Sequence, residues 1–172
     1  MLRWVFIAVG ILVVVVIVTY VGGMLLPRTH TASVEGVVGK SPIEVAAILR
    51  NVRNYPDWRD VVVTDVAQSG AAVDYVEIVN KDRIAFRLTE PILDQEFLVT
   101  MTDPSLPFGG TWTIKLTPQG SGSTRVDIRE DGEVRSPIFR VFAHFVFGYT
   151  ASMKTYLEKL GATEILAKPT AN

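Results

Sequence analysis

The stretch TWTIKLTPQGSGSTRVDIRE, residues 111–130, decides the fold class of this chain. Apolar and polar residues alternate on both sides of a central PQGSGS, which is the pattern of two strands with one face in a core and the other in water. Gly120 and Gly122 supply the conformational freedom of a tight connection. The spacing fits neither a phosphate-binding loop nor a nucleophile elbow, so the stretch predicts an antiparallel hairpin.

Further segments with strand character surround this hairpin. Turn-forming residues separate most of them, and short turns between consecutive strands predict an antiparallel meander. One short helix follows the first strand, where Ser41, Pro42 and Glu44 form a capping box with proline at the first helical position. The seven predicted strands are residues 33–38, 61–67, 73–79, 83–89, 95–102, 111–117 and 124–130.

A long amphipathic helix is predicted after the meander. Ser136 and Pro137 provide its start and Gly161 its C-cap, and the roughly 23 residues between them would extend ~34 Å. Such a helix is long for a small domain, which favours a curved sheet wrapped around it. Residues 163–172 are predicted to form a frayed, disordered tail. The apolar face of the helix consists of Ile138, Phe142, Phe145, Tyr149, Met153, Tyr156 and Leu160.

The N-terminal segment is the most apolar part of the chain. No residue from 4 to 26 is charged, and as a helix these residues would extend ~34 Å. This length favours an uncleaved single-pass transmembrane anchor over residues 1–28, with a cleaved signal peptide as the alternative. Arg3 favours a domain on the outer face of the membrane, whereas Arg28 and Lys40 argue weakly for the opposite orientation. The short tether that follows would keep the domain close to the bilayer.

The composition disfavours several classes of function. The 172 residues carry 17 basic and 18 acidic side chains, a net charge of −1, which argues against a nucleic-acid-binding surface. The absence of cysteine excludes disulfides, thiolate metal sites and a cysteine nucleophile. The two histidines, His30 and His144, lie far apart in the sequence, so neither a metal site nor a cofactor is predicted.

Four short motifs carry a resemblance to a known family. They are PFGGTW at 107–112, EDGEV at 130–134, PIFR at 137–140 and FVFGYT at 145–150. Together with the order of elements, they resemble a bacterial branch of the START-like (SRPBCC) helix-grip superfamily, often labelled polyketide cyclase/dehydrase-like. The resemblance covers about residues 32–162. It implies an α+β fold in which a seven-stranded antiparallel sheet wraps around the last helix, with an apolar ligand-binding cavity in the domain spanning 29–162. It transfers no catalytic residue.

Strand parity places polar side chains inside the predicted sheet. Glu130 shares the parity of its apolar neighbours and should point inward, as should Trp112. Tyr75 and Glu77 also point inward if Val73 and Val79 do. The opposite parity would bury apolar side chains nearly as well, so both orientations of this strand stay open. A cavity carboxylate could act as an acid or base, or accept a hydrogen bond from a ligand hydroxyl. The alternative for Glu130 is an ion pair at the cavity rim with Arg87 or Arg135.

The predicted ligand-binding residues combine bulky rings with few polar groups, as ligand pockets do. Plain core packing is the alternative for each ring. Basic residues around the first helix, Arg59 among them, could touch anionic headgroups, but a solvated face is the more common arrangement. The predicted ligand-binding residues are Trp58, Tyr75, Trp112, Glu130, Phe142, Phe145 and Tyr149.

These patterns predict a membrane-anchored domain that binds or transfers a hydrophobic or lipid-like small molecule. A cyclase or dehydratase that uses Glu130, Tyr75 and Glu77 as acid–base groups is the second hypothesis. A ligand-free structural module with a closed core is the third. The sequence does not decide whether the protein is an enzyme.

Overall fold

The computed structural model describes residues 1–120 and 122–168, with the backbone alone for Phe147. Within these residues, eight strands form one antiparallel sheet in the order β2-β3-β4-β5-β6-β7-β1-β8. The predicted α+β class is confirmed. The strands are β1 Thr29–Val38, β2 Val62–Ser69, β3 Ala72–Val79, β4 Asp82–Ile92, β5 Glu96–Met101, β6 Phe108–Gln119, β7 Ser123–Val134 and β8 Ala162–Lys168.

The helices lie at the two ends of the chain and between β1 and β2. Ser41 caps α2 through the predicted capping box, because its side chain accepts from the Glu44 backbone while the Glu44 carboxylate accepts from the Ser41 backbone. A 3₁₀ turn then leads into β2. The helical elements are α1 Leu2–Leu25, α2 Pro42–Arg50, the 3₁₀ turn Val52–Asp57, α3 Pro137–Phe142, a π-helical turn Ala143–Phe147 and α4 Ala151–Leu160.

An eighth strand corrects the prediction of seven strands and of a disordered tail over residues 163–172. Residues Ala162–Lys168 pair with β1, which would otherwise expose its free edge. The Lys168 ammonium lies 2.7 Å from a carboxylate oxygen of Glu35 and 2.5 Å from one of Asp127. Residues 169–172, the rest of the predicted tail, lie outside the described part of the chain.

The single long C-terminal helix is also a wrong prediction. The helix is interrupted at Gly148, whose φ of 69° and ψ of 155° are conformations that glycine adopts far more readily than any L side chain. The π-helical turn Ala143–Phe147 precedes this break, and α4 starts afresh at Ala151. The C-terminal segment therefore consists of a short α3 and a separate α4.

The hydrophobic core lies at one end of the sheet, beneath α2 and α4. Leu49 of α2 and Leu157 of α4 are fully buried, as are Val34, Ile114 and Ile128 from the strands. The predicted inward parity of β6 and β7 is confirmed by this burial.

Helix α1 ends against α3. Among the described residues it is the one helix long and apolar enough to cross a membrane, although a signal sequence has the same properties. Gly23 in its last turn is buried, and a Cβ there would lie 1.9 Å from the carbonyl oxygen of Pro137. The Arg140 guanidinium donates to the carbonyl oxygens of Gly23 (3.2 Å) and Leu26 (3.5 Å). The end of α1 is thus fixed to the start of α3.

Candidate ligand cavity

A cavity of about 480 Å³ separates the sheet from the C-terminal segment at the end of the fold opposite α2. Most of its wall is apolar or aromatic, and a small set of polar side chains faces into it. The strands contribute His30, Tyr75, Glu77, Phe86, Val99, Met101, Phe108, Gly109, Gly110, Trp112, Glu130, Glu133 and Val134. The 3₁₀ turn and the segment after it contribute Tyr55 and Arg59, and the C-terminal segment contributes Phe139, Phe142, Ala143, Gly148, Tyr149, Ser152 and Tyr156.

Most of the site residues predicted from the sequence lie in this wall. Trp58 does not, because its partly buried ring packs against the core, with its centroid 5.4 Å from that of Tyr55 and 5.2 Å from that of Tyr156. Phe145 does not either, because its side chain is 71 % exposed on the outer surface of the π-helical turn. The predicted residues that line the cavity are Tyr75, Glu77, Trp112, Glu130, Phe142 and Tyr149.

A buried ion pair joins the residue after the 3₁₀ turn to β3. Arg59 donates through both terminal nitrogens to the Glu77 carboxylate, at 2.5 and 2.9 Å, and the two side chains are 18 % and 4 % exposed. Burial alone would lower the pKa of Arg59, but the adjacent Glu77 carboxylate more than offsets this and raises it. The solvated face expected for Arg59 is therefore wrong. Its position was missed because no local pattern shows that its partner lies on β3.

Three tyrosines surround this ion pair. The hydroxyl of Tyr55 donates to the carbonyl oxygen of Leu49 at 2.7 Å, whereas the buried hydroxyl of Tyr156 has no partner of hydrogen-bond geometry among the described residues. Burial raises the pKa of Tyr156 to about 12 and raises those of Tyr55 and Tyr75 well above the usual value for tyrosine. At neutral pH all three are therefore protonated.

His30, Tyr149 and Glu130 form a second polar cluster in the wall. The His30 ring stacks on Tyr149 with centroids 3.9 Å apart, and its Nε2 lies 3.6 Å from a carboxylate oxygen of Glu130. Both side chains of the His30–Glu130 pair are mostly buried. Histidine was missed here because the predicted first strand began too late. Ala32 and Val34 point inward, and side chains two residues apart on a strand point to the same face. A predicted strand that began at residue 30 would therefore have placed His30 inside.

The ion-pair partners expected for Glu130 are engaged elsewhere. Arg87 forms a two-point contact with Asp74 on the outer face, at 2.7 and 3.0 Å. Arg135 lies 3.2 Å from Glu133 and donates to the carbonyl oxygens of Leu106 and Phe108. Of the carboxylates in the wall, Glu130 is therefore the one whose neighbour is an imidazole rather than a guanidinium.

A glycine on β7 makes room for the imidazole. His30 lies opposite Gly132 in the register of β1 and β7. A Cβ at Gly132 would lie 2.4 Å from Cε1 and 2.5 Å from Nε2 of His30, and 3.0 Å from a carboxylate oxygen of Glu130. The absent side chain therefore lets the ring lie flat between the sheet and Tyr149.

The chemistry available in the wall is hydrogen bonding and proton transfer. No group of three or more histidine and acidic residues that could hold a metal ion occurs in the described ranges. Glu130 can accept hydrogen bonds, and the Glu77 carboxylate is occupied by Arg59. The arrangement suits an apolar guest that carries a small polar group.

Comparison with known proteins identifies the fold. No protein-family model and no curated protein matches the sequence. A START superfamily protein from Mycobacterium smegmatis is similar in structure, with 15 % identity, 76 % of this chain and 94 % of that chain covered, and a TM-score of 0.58. An aromatase/cyclase from Streptomyces sp. R1128 is 10 % identical, with 77 % of this chain and 94 % of that chain covered and a TM-score of 0.60. Norcoclaurine synthase from Thalictrum flavum is 11 % identical, with 81 % of this chain and 88 % of that chain covered and a TM-score of 0.59. The chain therefore has the START-like helix-grip fold that its motifs resembled.

Proposed function

We propose that this protein binds a hydrophobic or amphipathic small molecule, such as a lipid or an isoprenoid, while α1 anchors it in a membrane. The observation that carries the proposal is the largely apolar cavity of about 480 Å³, which falls within the ~300–1,000 Å³ of small-molecule sites. Each methylene group moved from water into such a cavity contributes about 0.8 kcal/mol. A closed structural module would have no use for this space.

The polar groups of the wall suggest the shape of the guest. Glu130 offers an acceptor, and rings and aliphatic groups surround it. A guest with one hydroxyl group on an apolar body could donate a hydrogen bond to this carboxylate. A fully apolar guest would make no hydrogen bond to Glu130.

Anchoring would raise the local concentration of the cavity at the membrane without any additional contact. The uncharged helix Leu2–Leu25 supports an anchor by its length and composition. We place the domain on the outer face, because Arg3 precedes the helix and basic residues concentrate on the cytoplasmic side of membrane proteins. Protease protection in spheroplasts tests this orientation.

Equilibrium binding of retinol, a fluorescent apolar alcohol, tests the cavity in the full chain in detergent micelles. Energy transfer from the tryptophans to retinol is measured in a Trp4→Phe background, which removes the tryptophan at the start of α1. Val99→Phe, in the wall, should weaken binding at least about tenfold because the ring occupies guest space. Val62→Phe makes the same change at an exposed site and should bind normally. Equal binding by both variants would contradict the proposal.

An acid–base enzyme is the second candidate, and the His30–Glu130 pair favours it. A carboxylate 3.6 Å from an imidazole, both facing a cavity, can exchange protons with a bound molecule. The similar structures include proteins named as an aromatase/cyclase and a synthase. Native mass spectrometry of the protein extracted gently from its membrane would identify a co-purifying guest. Turnover of that guest by the wild type, with binding but no turnover by Glu130→Gln, would establish the enzyme.

A further inference from the structure

A stripe of apolar side chains on the C-terminal segment is exposed to solvent. It consists of Phe139, Phe142, Phe145 and Val146, called here the aromatic stripe, and these side chains are 48 %, 44 %, 71 % and 63 % exposed. Their spacing of three to four residues aligns them along α3 and the π-helical turn. A domain in water rarely exposes so many neighbouring large apolar side chains without a partner surface.

The aromatic stripe is continuous with the end of α1. Gly23 contacts the backbone of Pro137, at the first residue of α3. The Arg140 guanidinium binds the Gly23 carbonyl and also donates to the carbonyl oxygens of Val134 (2.8 Å) and Arg135 (3.0 Å). The helix that carries the stripe is therefore fixed both to the anchor and to the end of β7. The last residues of α1 would lie where a spanning helix leaves the bilayer, which places the stripe at the same level.

The aromatic stripe also borders the cavity. Phe139 and Phe142 line the cavity and are at the same time almost half exposed, so they lie at the boundary between its interior and the outside. Phe145 and Val146 extend the stripe away from this boundary without lining the cavity. Gly148, with its positive φ, separates this segment from α4.

We infer that the aromatic stripe inserts into the lipid surface and forms an entrance through which the guest passes from the bilayer into the cavity. This inference rests on the proposed function. The partner surface is the lipid bilayer, because the stripe adjoins the most apolar helix of the chain and aromatic side chains favour the membrane interface. A second copy of the chain on the same surface is the competing occupant that the experiment must exclude.

Depth measurement in liposomes tests the insertion. The chain has no cysteine, so a single introduced cysteine carries one fluorophore. Phe145→Cys is compared with Ile43→Cys, an equally exposed apolar site on α2, in phosphatidylcholine liposomes that contain lipids with a quenching doxyl group on an upper acyl-chain carbon. We expect quenching at position 145 and none at position 43. Equal access of an aqueous quencher to both positions would overturn the inference.

Two further variants separate the failure of this inference from the failure of the proposed function. A label at Val13→Cys, in the middle of α1, should be quenched by deep doxyl lipids whenever the anchor is in the bilayer. If the label at position 13 is quenched and the label at position 145 is not, α1 is in the bilayer and the inferred insertion of the aromatic stripe is wrong. Disulfide cross-linking between two Phe145→Cys chains, without lipid quenching, would assign the surface to a second copy and likewise overturn the inference.

Transfer kinetics test the entrance itself. Phe145→Ser/Val146→Ser removes apolar surface from the aromatic stripe at residues that do not line the cavity. Retinol transfer from phosphatidylcholine vesicles should slow about tenfold, while retinol affinity in detergent stays at the wild-type value. Ile43→Ser is the matched control. Unchanged transfer rates in the double variant would contradict the entrance, and a loss of affinity in detergent would show an effect on the cavity instead.

Discussion

The two ends of the sheet differ although the same strands run through both. At the end beneath α2, β6 and β7 contribute Ile114 and Ile128 to a core with almost no exposed surface. Two residues further along the same faces, Trp112 and Glu130 border the cavity. We call these the packed end and the hollow end. The strands are equally regular in both, so the difference arises from what covers them.

The covering elements explain the difference. Helix α2 presents small and aliphatic side chains, Val45, Ala46 and Leu49, all fully buried. The hollow end is covered by a broken helical segment and by rings that contact one another edge to face, such as Trp112 and Tyr156, with centroids 5.5 Å apart and planes at 87°. Rings supported by one another leave a space that aliphatic side chains would fill. The packed end therefore supplies stability, and the hollow end supplies space.

The largest effect is expected from the buried ion pair in the wall of the hollow end. Arg59→Met would leave the Glu77 carboxylate buried without a partner and should lower the free energy of unfolding by about 3–5 kcal/mol. Urea unfolding of the full chain in micelles measures this. Arg59→Met/Glu77→Leu should recover most of the loss, because no charge is then left buried.

Arg87→Met is the matched control for this prediction. Arg87 pairs with Asp74 through a similar two-point contact, but the pair is exposed to water. Its loss should lower the stability far less than the loss of Arg59. Equal losses for the two arginine variants would show that the pair in the cavity wall is solvated, and the hollow end would then be open to water.

Truncation of apolar side chains compares the two ends directly. Ile114→Ala creates a new void in the packed end and should cost about 3 kcal/mol in unfolding free energy. Met101→Ala in the hollow end enlarges a space that already exists and should cost roughly 1 kcal/mol. Urea unfolding of both variants provides the comparison, and a loss at Met101 as large as that at Ile114 would argue that the hollow end is packed in solution.

A smaller effect is expected at the contact between Gly132 and His30. Gly132→Ala would force the imidazole away from its stack with Tyr149 and should cost about 1–2 kcal/mol. Gly132→Ala/His30→Ala should cost less than the sum of the two single variants, because removing the ring also removes the clash. Gly39→Ala has no atom near the new Cβ and should be nearly neutral. Additive effects at positions 30 and 132 would contradict the contact.

Local patterns predicted the packed end better than the hollow end. Alternation along β6 and β7 was sufficient to place Ile114 and Ile128 inward at the packed end, because parity depends only on neighbours in sequence. The parity of β3 stayed ambiguous because a buried Glu77 is reasonable only with Arg59 beside it, 18 residues away. Contacts between distant segments determine the hollow end, and a single sequence does not show them.

The same distinction explains the wrong predictions about the C-terminal segment. Apolar spacing continues through Gly148, so periodicity alone indicated one helix, whereas the conformation of this glycine ends it. Strand β8 has weak alternation of its own and forms because β1 has a free edge on which it can pair. The position of His30 depended on where β1 begins, and its contact with Tyr149 spans most of the chain.

The smallest effect is expected at the edge of the packed end, where α2 is attached to the turn between β4 and β5. Arg50 donates to Glu90 at 2.8 and 2.6 Å and to Asp94 at 2.7 Å. The hydrogen bonds from Arg50 lower the pKa of the Glu90 carboxyl below its ordinary 4.5. A carboxyl with a lowered pKa in the folded state stabilises the fold at pH values above its unfolded pKa. That contribution is lost as the pH falls below 4.5 and through the folded pKa.

Glu90→Gln should therefore destabilise the full chain at pH 7 and have progressively less effect at acid pH. Because 43 % of the Arg50 side chain is exposed, we expect a loss below about 1 kcal/mol at pH 7. The measurement is the difference in urea unfolding free energy between Glu90→Gln and wild type from pH 7 to pH 3. A difference that closes below pH 4.5 fits an ion pair that holds α2 over the packed end. A constant difference would instead show that the loss does not come from the charge of Glu90, and the attachment of α2 would then not depend on this ion pair.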